Sequence, residues 1–193
     1  MKKYNTEAIV LKNINLKDAD KVYTLLCRDV GKIGAIARGV RKISSRRAGN
    51  LDTLNLITVS ITESDKGFKS IDEVKVINSF KQLKTNLPKI HAAYYLAELI
   101  HKSLEEHTEA VEVFMLFRQV LGSLDGTSYP IEVVSFYFEI CFLRILGYRP
   151  RISDIYYDID NLTLEGVKKA DPMIKSIIYE HLASRFKSLE LKV

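Results

Sequence analysis

Apolar and polar positions follow two different rhythms along this chain, and the change falls near residue 80. Up to Ile77 they alternate in short runs rich in β-branched residues: Thr6–Leu11, Lys21–Cys27, Lys32–Ala37, Leu54–Thr62 and Phe68–Ile77. Side chains on a strand point to opposite faces in turn, so this spacing predicts five half-buried strands. Asn13–Asp20, Asp29–Gly31 and Ser64–Gly67 carry the Asn, Asp, Ser and Gly that turns need. The fourth run breaks phase: Leu54 and Leu56 share one face, whereas Ile57, Val59 and Ile61 share the other. A break of that kind predicts a bulge, or a strand that changes partners. Five short curved strands suit a small closed barrel, with the OB-fold the leading option and a small sandwich or SH3-like barrel still open.

Beyond Phe80 the apolar residues recur every three to four positions. Pro88 opens a helix with Ile90, Tyr94, Ala97, Ile100 or His101, and Leu104 on one stripe. Thr108 can cap the next, with Glu109 and Glu112 near its positive end and Phe114, Phe117, Leu121 and Leu124 on its apolar face. Ser128 and Pro130 begin a third, which Gly147 stops, and Asp171-Pro172 begins a fourth bearing Ile174, Ile178, Leu182 and Phe186. The third is apolar nearly all round, with Glu132, Ser135 and Glu139 on one narrow edge, and belongs at the centre of a bundle. The fold class is therefore α+β in two parts. Residues 1–80 form the OB-fold barrel, and residues 81–193 form a helical domain with an irregular insertion at about 149–170.

Composition is that of a folded chain: 47% of the 193 residues are hydrophobic, 27% are charged and there are four prolines. The segment Ile131–Leu146 carries Glu132, Glu139 and Arg144 and is too short to span a bilayer comfortably, and the start shows no apolar core of a signal peptide. Cys27 and Cys141 lie in separate apolar runs and read as core thiols. A cytoplasmic protein is expected.

Charge is divided unevenly. Residues 1–80 hold 15 Lys and Arg against 9 Asp and Glu, and residues 81–193 hold 14 against 15. A net +6 thus belongs to the first part and −1 to the second, which points to a polyanionic partner for the barrel. The excess concentrates in Gly31–Arg47, GKIGAIARGVRKISSRR. Lys32, Arg38, Arg41, Lys42, Arg46 and Arg47 are the candidate DNA-binding residues, since Arg forks phosphate oxygens and amides flanked by glycine approach them closely. Tyr4, Tyr23 and Phe68 are the rings available to stack under unpaired bases.

Catalytic chemistry finds little support. Asp18 and Asp20 could share a face, but they have no third ligand nearby and read as a solvated turn. Asp154, Asp158 and Asp160 lack the spacing of a calcium loop. His91, His101 and His107 have no zinc partners, and the glycines match neither a P-loop nor a dinucleotide fingerprint. No catalytic residue is assigned.

The chain resembles the RecO family of bacterial recombination-mediator proteins. The likeness rests on Thr6–Leu11, Asp18–Leu26 and Gly31–Lys42, then Ser45-Arg46 and Gly49-x-Leu51 in the same order. Ala92–Leu99 and FEICFLRILGYRP at Phe138–Pro150 are similar to the family's helical signatures, and Arg185–Leu189 more weakly to its closing pattern. This resemblance implies an N-terminal OB-fold, binding of single-stranded and duplex DNA, annealing of complementary strands, and partnership with RecR. It also implies contact with the acidic tail of single-stranded-DNA-binding protein (SSB), so that RecA loads onto covered strands. For that tail the helical half offers Arg118 and Arg144 beside a groove lined by Phe114, Phe117 and Tyr137. Many relatives carry a four-cysteine zinc knuckle after Gly-Tyr-x-Pro. Here no cysteine follows Cys141, so no cofactor and no zinc is expected, and Ile152, Ile155, Tyr156, Leu162 and Leu164 must order that region by packing. A basic adaptor for an acidic protein surface and an OB-fold RNA binder are the competing readings.

Overall fold

The computed structural model describes the backbone of residues 1–193 apart from 17–18, 42–46, 127–128 and 191–193, and the side chains of those residues apart from 47, 154–155 and 183–190. Five strands, β1 (Lys2–Asn15), β2 (Lys21–Cys27), β3 (Gly31–Ala37), β4 (Leu56–Glu63) and β5 (Lys69–Asn78), close into a barrel in the order β1-β2-β3-β5-β4. The short helix α1 (Arg47–Asn50) lies between β3 and β4. The helices that follow are α2 (Lys81–Thr85), α3 (Leu87–Ser103), α4 (Val111–Asp125), α5 (Ile131–Ile145) and α6 (Leu164–Glu190). Two 3-10 turns, Asp154–Tyr157 and Ile159–Asn161, precede α6.

Closure depends on one long strand. β1 pairs antiparallel with β4 through Lys2–Ile9 and with β2 through Ala8–Asn15, and a register shift between Val10 and Lys12 bends it from one neighbour to the other. β3 and β5 meet in parallel at Ile36 and Ser70, which closes the wall. This order, with its parallel β3–β5 closure, is the OB-fold expected from the sequence. The phase break in the fourth strand is real. Leu54 stands before β4 at φ 70°, held by its N–H on the Val10 carbonyl at 2.8 Å, and the β4–β5 register shifts between Leu56 and Ile57.

The barrel interior follows from the alternation. Ala8 and Val10 from β1, Tyr23, Leu25 and Cys27 from β2, Ile33 and Ala35 from β3, and Ile57, Val59 and Ile61 from β4 all face inward and are buried. Alanines between larger side chains let a small barrel fill without voids. Ile9, Leu26 and Leu56, on the opposite faces of their strands, are equally buried, so the wall is covered outside as well. Residues 104–118 supply cover: together with Met1–Lys81 they form the first compact unit. Lys32 donates its ammonium to the Leu104 carbonyl, and its own carbonyl accepts the His107 N–H at 3.0 Å. Gly31, at φ +69°, lies so close that a Cβ there would stand 1.9 Å from the Thr108 carbonyl oxygen. Arg118 adds an ion pair with Glu7 at 3.1 Å.

Residues 82–103 and 119–193 form the second unit. Helix α5 is its hydrophobic centre, with Val133, Val134, Phe136, Phe138, Ile140, Phe142 and Leu143 buried and Pro130 and Gly147 bracketing it. Glu139 lies on the same helix and is fully buried. Lys175 from α6 pairs with its Oε1 and also reaches the Tyr95 hydroxyl of α3 at 3.3 Å. Burial pushes the Glu139 carboxyl above its ordinary value, and Lys175 opposes that shift.

Several helix boundaries and faces differ from the pattern reading. The buried face of α3 is Ala93, Leu96, Ala97, Leu99, Ile100 and Ser103, and Tyr94 is exposed, because the stripe is turned by one position. α4 starts at Val111, not beside Thr108, whose backbone is occupied against Gly31. α6 starts at Leu164 and carries Pro172 in its interior; Thr163 Oγ1 accepts the Gly166 N–H at 3.1 Å and so caps it two turns before the proline. Between α5 and α6, Tyr156 packs edge-on against Phe136 at 6.1 Å, and Asp158 accepts N–H groups of Asp160 and Asn161. Leu164 is exposed and Val167 takes the buried place expected of it, while Ile155 and Phe186 lie outside the described side chains.

Candidate nucleic-acid interface

The β4–β5 hairpin turns through Ser64–Phe68 under tight control. Ser64 and Phe68 are joined twice, the Ser64 N–H donating to the Phe68 carbonyl at 2.9 Å and the Phe68 N–H to the Ser64 side-chain Oγ at 3.1 Å. The Gly67 N–H closes on the Ser64 carbonyl at 2.9 Å. This turn delays the alternation of β5 by one residue, to Lys69, and Phe68 is left 68% exposed. The other two candidate rings do not serve. Tyr23 is in the barrel core, and Tyr4 packs on that core with the Lys2 ammonium 5.9 Å from its ring centre.

Beneath Phe68 is a cleft of about 820 Å³, whose walls include Ile36, Arg38, Lys66, Lys69 and Ile71. It opens over the β3–β5 seam, on the side of the barrel where the β4–β5 loop lies, the region with which OB-folds hold oligonucleotides. Charge within it is positive on balance. Lys69 is paired with Glu63 at 3.1 Å, Asp65 with the Met1 amine at 2.7 Å, and Asp72 lies 3.6 Å from Lys3. Arg38 and Lys66 line it as well.

The turn after β3 carries Arg38 and Arg41 outward, and the sequence shows why it holds its shape. Asp20 Oδ1 accepts the Gly39 N–H at 2.7 Å, and the Ala19 carbonyl accepts the Arg41 N–H at 2.9 Å. Gly39 sits at φ +65°, a conformation glycine adopts without strain. Asp20 is thus a turn-holding carboxylate, and Asp18 lies outside the described residues. Both arginines are exposed.

Of the six basic residues drawn from the sequence, the structure brings Arg38 and Arg41 together on this turn. Lys32 is a correction: it is 7% exposed and its ammonium is spent on the Leu104 carbonyl, because the strand alternation turns it toward residues 104–118. Lys42 and Arg46 lie outside the described residues, as does the side chain of Arg47. Lys66 was missed, and of the three rings named from the sequence only Phe68 is exposed. The signal was a Lys-Gly-Phe at the tip of the last hairpin, where a ring adjoins the turn and not the strand.

The residues proposed from the sequence for an acidic tail are placed as follows. Phe114 and Phe117 are wholly buried and present no ring, and Arg118 is engaged with Glu7. Those three belong to the first unit, whereas Tyr137 and Arg144 belong to the second. Arg144 lies over the Tyr157 ring at 4.9 Å, and Tyr137 is half-buried near Gln119 and Cys141.

Nucleophilic and metal chemistry gain nothing from the geometry. Burial, then Asp29, pushes the Cys27 thiol up to about 12, and burial also raises Cys141. Among the described residues no group of three His, Cys, Asp or Glu could hold a metal ion, and no helix is long and apolar enough to cross a membrane.

Comparison with known proteins agrees with this architecture. A family model described as recombination protein O N terminal matches residues 1–80, and one described as recombination protein O C terminal matches residues 84–155. The chain is 32% identical over 151 residues to a DNA repair protein RecO of Roseiflexus sp. (strain RS-1), covering 78% of this chain and 52% of the relative. It is 30% identical over 155 residues to that of Thermoanaerobacter sp. (strain X514), with 80% and 62% covered. With that of Anaeromyxobacter dehalogenans (strain 2CP-C) it shares 32% over 154 residues, with 79% and 60% covered. It therefore spans between half and two thirds of the length of these relatives.

Proposed function

The chain belongs to the RecO family of DNA repair proteins, and from that premise we propose that it binds DNA strands through its barrel and promotes their pairing. The observation that carries this reading is the Phe68 cleft: an exposed ring on a hydrogen-bonded hairpin at a hollow lined by Arg38, Lys66 and Lys69. A single strand needs those two things from a protein. Its phosphates require cations, and its unpaired bases require a flat apolar surface that accepts any base. Phe68 supplies the surface, while Arg38, Lys66 and Arg41 supply charge. Lys42, Arg46 and Arg47 extend that charge along the sequence.

In this reading the work is binding and strand pairing without covalent chemistry. Neither zinc nor a nucleotide cofactor is needed. The reading also carries duplex binding, partnership with RecR, contact with the SSB tail, and help to RecA on covered strands. These are proposals for the whole protein, and no residue of this chain is assigned to RecR or RecA.

The test is annealing of two complementary labelled strands followed by fluorescence transfer. Wild type is expected to speed pairing over the uncatalysed rate, and Phe68→Ala with Arg38→Ala to lose most of that gain. Acceleration that survives the double change would remove the cleft from the account; no acceleration by wild type would leave an adaptor for acidic protein surfaces as the better reading.

A further inference from the structure

The helical half is slightly acidic as a whole, yet one short stretch of it is not. Residues 144–151, RILGYRPR, hold three arginines and no acid. Here α5 ends, the chain turns at Gly147, and Arg149-Pro150-Arg151-Ile152 leads into the 3-10 turn Asp154–Tyr157. Arg144, Gly147, Arg149, Pro150, Ile152 and Tyr157 line an open cleft of about 480 Å³. No described carboxylate is among its lining residues.

The two lining arginines are held differently. Arg144 lies with its guanidinium carbon 4.9 Å from the centre of the Tyr157 ring. A guanidinium stacked on a ring is fixed in plane, and its N–H edge remains available to an anion. Arg149 is exposed on the same cleft, and Arg151 continues the positive charge beyond it. Two forks across one hollow suit an oxyanion with several acceptor oxygens.

A phosphodiester chain fits better here than an acidic peptide. Peptides that dock by a few carboxylates also bring apolar side chains that need a deep dry pocket. This cleft offers only Pro150 and Ile152, a small flat wall of the kind on which a base can rest. With Arg151 beyond the two lining arginines, the stretch suits a ligand whose charge repeats.

We propose that this cleft is a second contact for a nucleic-acid strand, with a phosphate between Arg144 and Arg149 and a neighbouring base against Pro150 and Ile152. It rests on the DNA-binding reading above, and it adds what strand pairing requires, a second place on the chain to hold a strand.

The chain contains no tryptophan, so a single introduced Trp reports on its own surroundings. Phe68→Trp would report on the barrel cleft and Tyr157→Trp on this one, the latter keeping a ring under Arg144. Each is titrated with oligothymidylate. Both emissions are expected to change, and Arg149→Gln should move the Tyr157→Trp midpoint to roughly tenfold higher strand concentration, as loss of one charge-assisted contact implies. The Phe68→Trp titration should be unaffected by Arg149→Gln. Arg144→Lys, which keeps charge but not the fork, should fall between. If Phe68→Trp responds and Tyr157→Trp stays silent, the second contact is overturned and the barrel reading stands. If both stay silent, DNA binding itself fails. An acidic peptide that saturates the Tyr157→Trp signal where oligothymidylate does not would overturn the proposal in favour of a protein partner.

Discussion

Two single residues carry most of the argument, and each can be removed alone. Phe68 is 68% exposed at a hairpin whose shape is set by Ser64 and Gly67, not by the ring. Phe68→Ala should therefore leave stability within about 0.5 kcal/mol of wild type. If a base stacks there, the same change should weaken single-strand binding by about 1–3 kcal/mol. Thermal melts and oligonucleotide titrations separate the two effects. Gly31 is the opposite case: its φ of +69° and the Thr108 carbonyl 1.9 Å from an added Cβ leave no room for a side chain. Gly31→Ala should cost at least about 1–2 kcal/mol from the backbone conformation alone, and the clash adds to that, so Tm should fall by several degrees. An unchanged Tm would mean that residues 104–118 are not held against β3 as described. Neither role was fully legible beforehand. Phe68 reads as the first residue of a strand because its neighbours alternate, and only the turn geometry shows that the alternation starts one residue later. Lys32 reads as one more loop cation, because a sequence does not show which strand face will be covered from outside.

At the level of elements, periodicity located every strand, and it misplaced helix starts where a local bond overrode it. α6 begins at Leu164 because Thr163 caps it, although Asp171-Pro172 is the stronger starting signal by type. The link from α5 to α6 is the part of the bundle most open to test. Glu139 is fully buried, and Lys175 keeps about a third of its side chain in water. Lys175→Met should cost up to about 3 kcal/mol, the low end for stranding a buried charge, because that lysine is partly solvated. Burial holds the Glu139 carboxyl above its ordinary value of 4.5, against the pull of Lys175 and Tyr95. The folded state thus keeps this proton more tightly than the unfolded chain. The contribution is fully present below the ordinary carboxyl value and is lost as pH rises through the folded one. Denaturant titrations across that window should show the decline in wild type, a steeper one in Lys175→Met, and none from this group in Glu139→Gln. A flat difference between wild type and Glu139→Gln would contradict the burial argument.

For the molecule as a whole, the division of charge was visible from composition, and it is what points to a polyanionic partner. The positive excess lies in residues 1–80, and the barrel they form has a cleft lined by Arg38, Lys66 and Lys69 beside an exposed ring. What composition could not reveal is where on the barrel that cleft opens, since this depends on β3 and β5 meeting at a single described pair. The measurement that bears most directly on the central claim is the salt dependence of single-strand binding. Fluorescence anisotropy of a labelled oligonucleotide would compare wild type with a variant carrying Arg38→Ala, Lys66→Ala and Arg41→Ala. Three lost phosphate contacts at about 0.7 each should make the log–log slope shallower by roughly 2.1. A variant that binds with the affinity and slope of wild type would contradict the claim that the strand follows this face of the barrel.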